Sequence, residues 1–561
     1  FKNEIAEFIY KRTYSRWRDN DKRRENWPET IERFLSFLIS ENKDIPEKTI
    51  NKTRKYLLEF SVMPSMRFLW AAGGAAKRDN TTIYNCAFAK INCIEAFSEC
   101  LFILMCGTGF GFSVEEEEVE KLPAIPAIRS GQDIEKVLID DSKEGWADSV
   151  HELMTSLYEG QNIYFDYSNI RPEGARLAIM GGRASGPQPL VKLHDFIRET
   201  MHNAQGRKLT SLEAHDICNQ IAEIVVVGGV RRSSQISLSD LDSDSMRHAK
   251  DWPYPIKRAM ANNSAIYKEK PSAAEFLKEW GSLALSGTGE RGIFNLSAAQ
   301  SKAPSRRYAP LIQGTNPCGE IMLRDMQFCN LTEVVVRPDD DLDSLLDKVE
   351  CATWLGVIQS TFTSFPYLRK EWKKNCDVER LLGVSLTGQM DNPSLLNSEV
   401  LKALKSRVLR ISRKASTLLG VNMPAATTCV KPSGTVSQLV DSASGVHPRW
   451  SDYYIRRYRI AARDPLFKML KDQGVPCKPE NGQTKRKAST WVMSFPVKAP
   501  DGCVKRTDVT ALDQLKHYKS LQHNWCEHNA SMTVYVRDEE WFEVGNWVYQ
   551  NWDIINGVSF L

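Results

Sequence analysis

What most limits the folds open to this chain is a repeated alternation, along its 561 residues, of short apolar runs with helix-like stretches. "RGIFNL" (291–296), "LLGVSLTG" (381–388), "STWVMSF" (489–495) and "ASMTVYV" (530–536) are such runs. They are too uniformly apolar for strands wetted on one face, so they predict buried, mostly parallel strands in an α/β architecture. No internal repeat or low-complexity linker divides the chain, which favours one large domain over several.

Helical segments frame this alternation. "NWPETIERFLSFLI" (26–39) places Trp27, Ile31, Phe34, Leu35 and Leu38 on one face and enters through Asn26 and Pro28. Residues 1–60 therefore read as a helical N-terminal region. Two helices are expected over 190–227; the second opens with Thr210 and Glu213 at capping-box spacing and repeats Ile217, Ile221, Ile224 and Val225. The charged runs 115–121 ("EEEEVEK") and 484–488 ("TKRKA") read as solvated loops.

Lys plus Arg exceed Asp plus Glu by 74 − 70 = 4, which gives no charge-based argument for nucleic acid or a membrane surface. No apolar run approaches the ~18 residues of a membrane span, and "FKNEIAEFIYKRTYSRW" lacks a signal-peptide core. A cytoplasmic protein is expected. The thirteen cysteines are dispersed without any C-x-x-C, so most should be buried small hydrophobes rather than zinc or disulfide ligands.

Chemistry concentrates in "GTNPCGEIMLRDMQFCNLTEVVV" (314–336). In an extended segment Asn316, Cys318 and Glu320 face one side, an amide, a thiol and a carboxylate over one polar substrate. A Pro-Cys-Gly turn holding an inert thiol is the alternative. Cys86 in "YNCAF" and Cys329, eleven residues after Cys318, each sit beside Asn in an apolar setting; meeting in the fold, they form a two-electron reductant. "LMCGTGFGFSV" (104–114) carries Gly107, Gly109 and Gly111 without dinucleotide spacing, glycines that admit a close approach of backbone to phosphate. "KPSGTVSQLV" (431–440) reads as a turn of Pro432, Ser433, Gly434 and Thr435 opening a helix, suited to an anion, and "MPSMRFLW" (63–70) as a second with Ser65. "GGVRRSSQISLSD" (228–240) puts Arg231 and Arg232 after a diglycine, in a loop fitted to nucleotide phosphates. "HNWCEH" offers His523, Cys526 and His528 at no familiar zinc spacing, and no metal site is expected.

In order, "YKRTYSRWRDN", "NWPET", "MPSMRFLW", "YNCAF", "GTGFGFSVE", "DYSNIRPEGA", "GGRASGPQPL", "DICNQI", "GGVRRSSQISL", "GTNPCGEI", "FCNLTEV", "VKPSGTV" and "NGVSFL" resemble ribonucleotide reductases. The resemblance is to the adenosylcobalamin-dependent (class II) ribonucleoside-triphosphate reductase type and runs from about residue 10 to the end. It implies a ten-stranded α/β barrel over 61–561, built of two five-stranded parallel halves around a central finger loop that carries the radical cysteine. On the family pattern Cys318 is the thiyl radical, Glu320 the base at the ribose 3′ hydroxyl and Asn316 a ribose ligand. Cys86 and Cys329 give two electrons and become a disulfide. Ser65, Gly109 and the 432–435 turn hold substrate, and the loop with Arg231 and Arg232 relays effector identity. The implied cofactor is adenosylcobalamin. The implied partners are a nucleotide substrate, a deoxynucleotide effector and thioredoxin or a similar dithiol, with neither membrane nor nucleic acid.

The chain departs from the pattern in three places. Its start shows no ATP-cone domain, and an insert of about fifty residues at about 115–165 is shorter than the one that imitates a dimer partner in monomeric enzymes. Its end, "INGVSFL", shows no cysteine pair. A monomer is favoured, with a homodimer as the alternative. A class I catalytic subunit fed by a separate metal-radical subunit is the second reading, and "NGVSFL" lacks the adjacent tyrosines such subunits carry. A glycyl-radical enzyme and a cysteine-rich metal or nucleic-acid binding protein stand further off.

Overall fold

The computed structural model describes residues 1–42, 44–129, 136–175, 184–227, 234–481 and 483–561. Three helices open the chain, Glu4–Thr13, Trp27–Glu41 and Glu47–Leu58, the second of them where the periodicity predicts one. Local chemistry sets their ends. Asn26 and Glu29 form a reciprocal capping box at the start of the second helix, which buries Trp27, Ile31, Phe34, Leu35 and Leu38. Thr210 and Glu213 exchange the same pair of bonds before helix Ser211–Val227.

Strands β1 (Cys86–Lys90), β2 (Gly109–Ser113), β3 (Gln235–Asp240), β4 (Ala261–Tyr267) and β5 (Gly292–Asn295) pair in parallel, in chain order. The sheet has eight strands, because Gln327–Phe328 adds antiparallel to β1 while a later strand and Thr533–Val534 extend the other edge. Elsewhere β6 (Leu331–Val335) and β7 (Gly383–Thr387) run parallel, with Val62–Met63 antiparallel beside β6. The later edge strand is β8 (Gly557–Phe560), antiparallel to β5. Among the described residues these ladders do not close into a barrel. The gap from β7 to Ala530 is spanned only by single-residue bridges, Val384 to Thr428 and Val430 to Ala530. Two carbonyls there are spent otherwise: the N–H groups of Glu527 and His528 both donate to that of Thr428, and the Trp525 indole donates to that of Cys429 at 2.8 Å.

Three sequence expectations are corrected. "STWVMSF" does not join the parallel system; Thr490–Lys498 is the centre of a separate antiparallel sheet between Tyr453–Ala461 and Cys477–Pro479. An apolar run reads alike in either setting, since orientation is set by a distant partner. The acidic run at 115–121 is not simply solvated. Glu115 and Glu118 are buried, paired to Lys268 (2.9 Å), and to Lys90 (2.8 Å) and Lys121 (2.6 Å). Much of the loop expected at 228–240 is strand, because Gln235–Asp240 is β3; residues 228–233, with Arg231 and Arg232, lie outside the described residues.

No helix among the described residues is long and apolar enough to cross a membrane.

Candidate active site

A short antiparallel hairpin, Gly314–Thr315 with Met322–Leu323, carries the Asn-Pro-Cys-Gly-Glu segment on its tip. The hairpin lies against β2, which explains the glycines there: a Cβ on Gly111 would stand 2.3 Å from the Thr315 carbonyl oxygen. The tip is a turn, not the extended segment of the alternation argument. Gly319 donates to the Asn316 carbonyl at 2.8 Å and adopts φ +77°, a left-handed geometry that a glycine takes without strain. The turn reading and the reactive reading are therefore compatible. The turn presents the residues.

Asn316 closes the hairpin by accepting the Ile321 N–H on Oδ1 at 2.9 Å, while its buried Nδ2 lies near Glu320 and Cys86 without a hydrogen bond of standard geometry. Glu320 Oε2 is likewise buried and unpartnered. Burial raises the Glu320 pKa above the usual carboxylate range, with the Asn316 amide and, more weakly, the Lys431 ammonium opposing the rise. Cys318 is the one exposed residue of 312–323, yet burial, followed by the nearby Glu320 and Cys86, pushes its thiol well above the ordinary value.

Cys86 and Cys329 meet here. Cys329 N–H donates to the Cys86 carbonyl at 2.9 Å, and Cys86 N–H donates to the Cys329 sulfur at 3.1 Å. They directly follow the antiparallel pair Phe328–Ala87, and opposed residues of such a ladder have Cα atoms ~4.5–5.5 Å apart, inside the ~4.4–6.8 Å a disulfide requires. Both are free thiols. The bond to Cys329, then burial, raises the Cys86 pKa. Gly109 belongs to the same place, since a Cβ there would lie 3.2 Å from Cys86 Sγ and 3.3 Å from the Pro317 ring.

Ser65 is buried and already engaged, donating to the Ile83 carbonyl at 2.9 Å and facing Asn85 Oδ1 at 2.7 Å. At the 432–435 turn Ser433 takes φ +54°, and its hydroxyl is buried without a partner. Thr435 precedes only the short helix Val436–Val440 and makes no side-chain capping bond to it. His523, Cys526 and His528 form no cluster: among the described residues no group of three or more His, Cys, Asp or Glu could hold a metal. His528 instead accepts from Met322 N–H at 3.3 Å and bonds to the Leu382 carbonyl at 2.9 Å, which fastens the hairpin base.

Several residues here went unread in the sequence. Asn529 donates from one amide to the carbonyls of Gly319 (2.8 Å) and Gly557 (2.9 Å), and its N–H donates to the Glu320 carbonyl at 3.1 Å. Tyr518 and Gln522 donate to its Oδ1 at 2.8 and 2.7 Å. Asn529→Ala is expected to cost about 1–3 kcal/mol for each buried group left unpaired and to lower the melting temperature, read by calorimetry; an unchanged melt would remove Asn529 from this role. Glu333 and Lys431 form a buried ion pair at 3.0 Å. A lone acid in "LTEVVV" and a lone base after "TTCV" were the available signal.

Cys318 is exposed at the turn, and its carbonyl accepts from the Ser531 hydroxyl at 2.6 Å.

Residues 1–74 match the family described as ribonucleotide reductase alpha domain, and residues 119–201 the insertion domain of B12-dependent ribonucleotide reductases. The adenosylcobalamin-dependent ribonucleoside-triphosphate reductases of Lactobacillus gasseri and Lactobacillus acidophilus are 27% and 28% identical to the chain, covering 100% of it and 88% of their own length. That of Lactobacillus leichmannii is 26% identical over 98% of this chain and 88% of its own. A crystal structure of a B12-dependent (class II) ribonucleotide reductase superposes with TM-score 0.87 at 24% identity, covering 100% of this chain and 91% of that one. The Actinobacillus ureae class Id alpha subunit superposes at 0.60 with 12% identity, covering 100% and 96%.

Proposed function

We infer that this chain is a ribonucleotide reductase of the adenosylcobalamin-dependent type, an oxidoreductase that converts ribonucleotides to 2′-deoxyribonucleotides. The observation that carries this reading is the meeting of Cys86 and Cys329 in register beside the turn that presents Asn316, Cys318 and Glu320. The full-length relatives favour it over the class I alternative.

When bound, adenosylcobalamin supplies radical chemistry, a hydrogen-abstracting oxidant for a thiol. Cys318, with Gly319 and Ser531 beside it, would form the contact edge. Cys318 then takes the 3′ hydrogen of the ribose and later returns it, so the thiol is regenerated. Asn316 Nδ2, buried beside Glu320, fixes the ribose hydroxyls. Glu320 accepts the 3′ hydroxyl proton as the 2′ hydroxyl departs, and gives it back to the 3′ oxygen when Cys318 returns the 3′ hydrogen. The two thiols of Cys86 and Cys329 give two electrons and two hydrogens and close to a disulfide, and the 2′ oxygen leaves as water; atoms and electrons balance. Ser65, Gly109 and the Pro432-Ser433-Gly434-Thr435 turn receive the substrate's ribose and phosphates, a role the unpartnered Ser433 hydroxyl supports.

The finer architecture belongs to the same reading. Counting the isolated bridges, ten strand-like segments follow one another in space: β1 to β5, β8, 530–534, 428–430, β7 and 327–335. Two five-stranded halves around the finger hairpin, preceded by the helical 1–60 region and interrupted by the insert at about 115–165, describe that order. We assign the protein to the cytoplasm as a monomer reduced by thioredoxin or a small dithiol. A deoxynucleotide effector is read through the segment bearing Arg231 and Arg232.

The deciding experiment is nucleotide reduction with dithiothreitol, with and without adenosylcobalamin. Turnover only with the cofactor is expected; activity that required an added metal-radical subunit would move the chain to class I. Because Glu320 is needed ionised and burial raises its pKa, kcat/KM is expected to fall on the acid side at a pH above ~4.3, the ordinary Glu value. An acid limb at or below that value would contradict Glu320 as the base.

A further inference from the structure

The wall opposite the finger hairpin is built in two layers. In an extended segment residues i and i+2 share a face. Leu331 of β6 and Cys429 lie in one apolar cluster with Cys86, Cys329 and Ile321 of the hairpin. At Gly383 of β7 a Cβ would stand 2.7 Å from Ile321 Cδ1. This first layer faces the finger. Two residues on, roughly 6–7 Å along the strands, the same faces present Glu333, Ser385 and Lys431. Glu333 and Ser385 are register partners, Lys431 N–H donates to Ser385 Oγ at 3.0 Å, and Lys431 Nζ lies 3.0 Å from Glu333 Oε2.

A charged second layer is costly, because both side chains are buried and Glu333 Oε1 has no hydrogen-bond partner. An apolar pair of the same volume would hold the strands together as well. The layer is also tied to the finger: Asn529 N–H donates to the Glu320 carbonyl, and Val430 N–H donates to the Asn529 carbonyl at 3.0 Å. Lys431 is the next residue.

We propose that Glu333 and Lys431 are positioning residues that set the charge state of Glu320 from the wall opposite the finger. The inference rests on the reductase reading for its catalytic consequence but not for its test. The ionisable groups around Glu320 are the thiols of Cys86 on β1, Cys318 on the finger and Cys429, together with Glu333 and Lys431. Lys431 favours the Glu320 carboxylate and Glu333 disfavours it, Lys431 being the larger influence. Glu333 and, after it, Glu320 itself favour the charged form of Lys431, which burial opposes.

The test is an infrared pH titration of the protonated Glu320 carbonyl stretch, assigned by its loss in Glu320→Gln, beside the acid limb of kcat/KM. Glu333→Gln is expected to move both to lower pH and Lys431→Met to higher pH, while Glu333→Asp restores the native position. Should Lys431→Met fail to fold, the charge-neutral Glu333→Gln/Lys431→Met double variant is expected to move both upward. Titrations that superpose on the native one, or shift the same way in both single variants, overturn the proposal. A native protein without reductase activity leaves the infrared readout intact and counts only against the reductase reading.

Discussion

Cys318→Ser is expected to fold, bind nucleotide and lose turnover by roughly 10⁴-fold or more, the scale on which removing a group that carries the chemistry acts. The side chain is exposed at the turn, and the turn itself is held through backbone atoms, by Gly319 to Asn316 and Ser531 to the Cys318 carbonyl. A hydroxyl of nearly the same size should therefore change stability by less than about 0.5 kcal/mol, as for substitutions away from the core. The loss comes from the bond exchanged: an O–H is too strong for a hydrogen transfer that an S–H permits. Thermal melts and nucleotide reduction measured on the same preparation separate the two effects. Reduction within tenfold of native would end the assignment of Cys318 as the radical residue.

Cys329→Ser is expected to reduce multiple turnover by roughly 10³-fold or more, since residues acting as a unit fail together. Cys86 alone cannot close a disulfide. In native protein without reductant, one deoxynucleotide per chain should form and peptide mapping should find Cys86 linked to Cys329. Cys429 is the thiol that makes this a sharp test, because it lies in the same apolar cluster. A Cys86–Cys429 or Cys329–Cys429 link after one turnover would reassign the reductant.

Much of the local architecture was legible because its causes are local. Asn26 with Glu29 and Thr210 with Glu213 make capping boxes three residues apart, and a pattern of that span survives any tertiary arrangement. The Asn-Pro-Cys-Gly-Glu segment offered three candidate site residues for the same reason. Its conformation was less legible: the extended alternation failed because Gly319 turns left-handed, a choice that depends on the hairpin pairing around it.

By itself the sequence determined the capped helices, the buried character of the strands and the chemical identity of the thiols, amide and carboxylate at the site. Those properties reside in side chains and in neighbours a few residues apart. Only the tertiary structure decided that Thr490–Lys498 runs antiparallel in its own sheet. It alone joined Glu118 to Lys90 and Glu333 to Lys431, and laid Cys329 opposite Cys86. The partners in each pair are separated by long stretches of chain, and no local preference encodes such a meeting. What selects it is the burial of apolar faces and the demand that every charge taken inside finds its counter-charge.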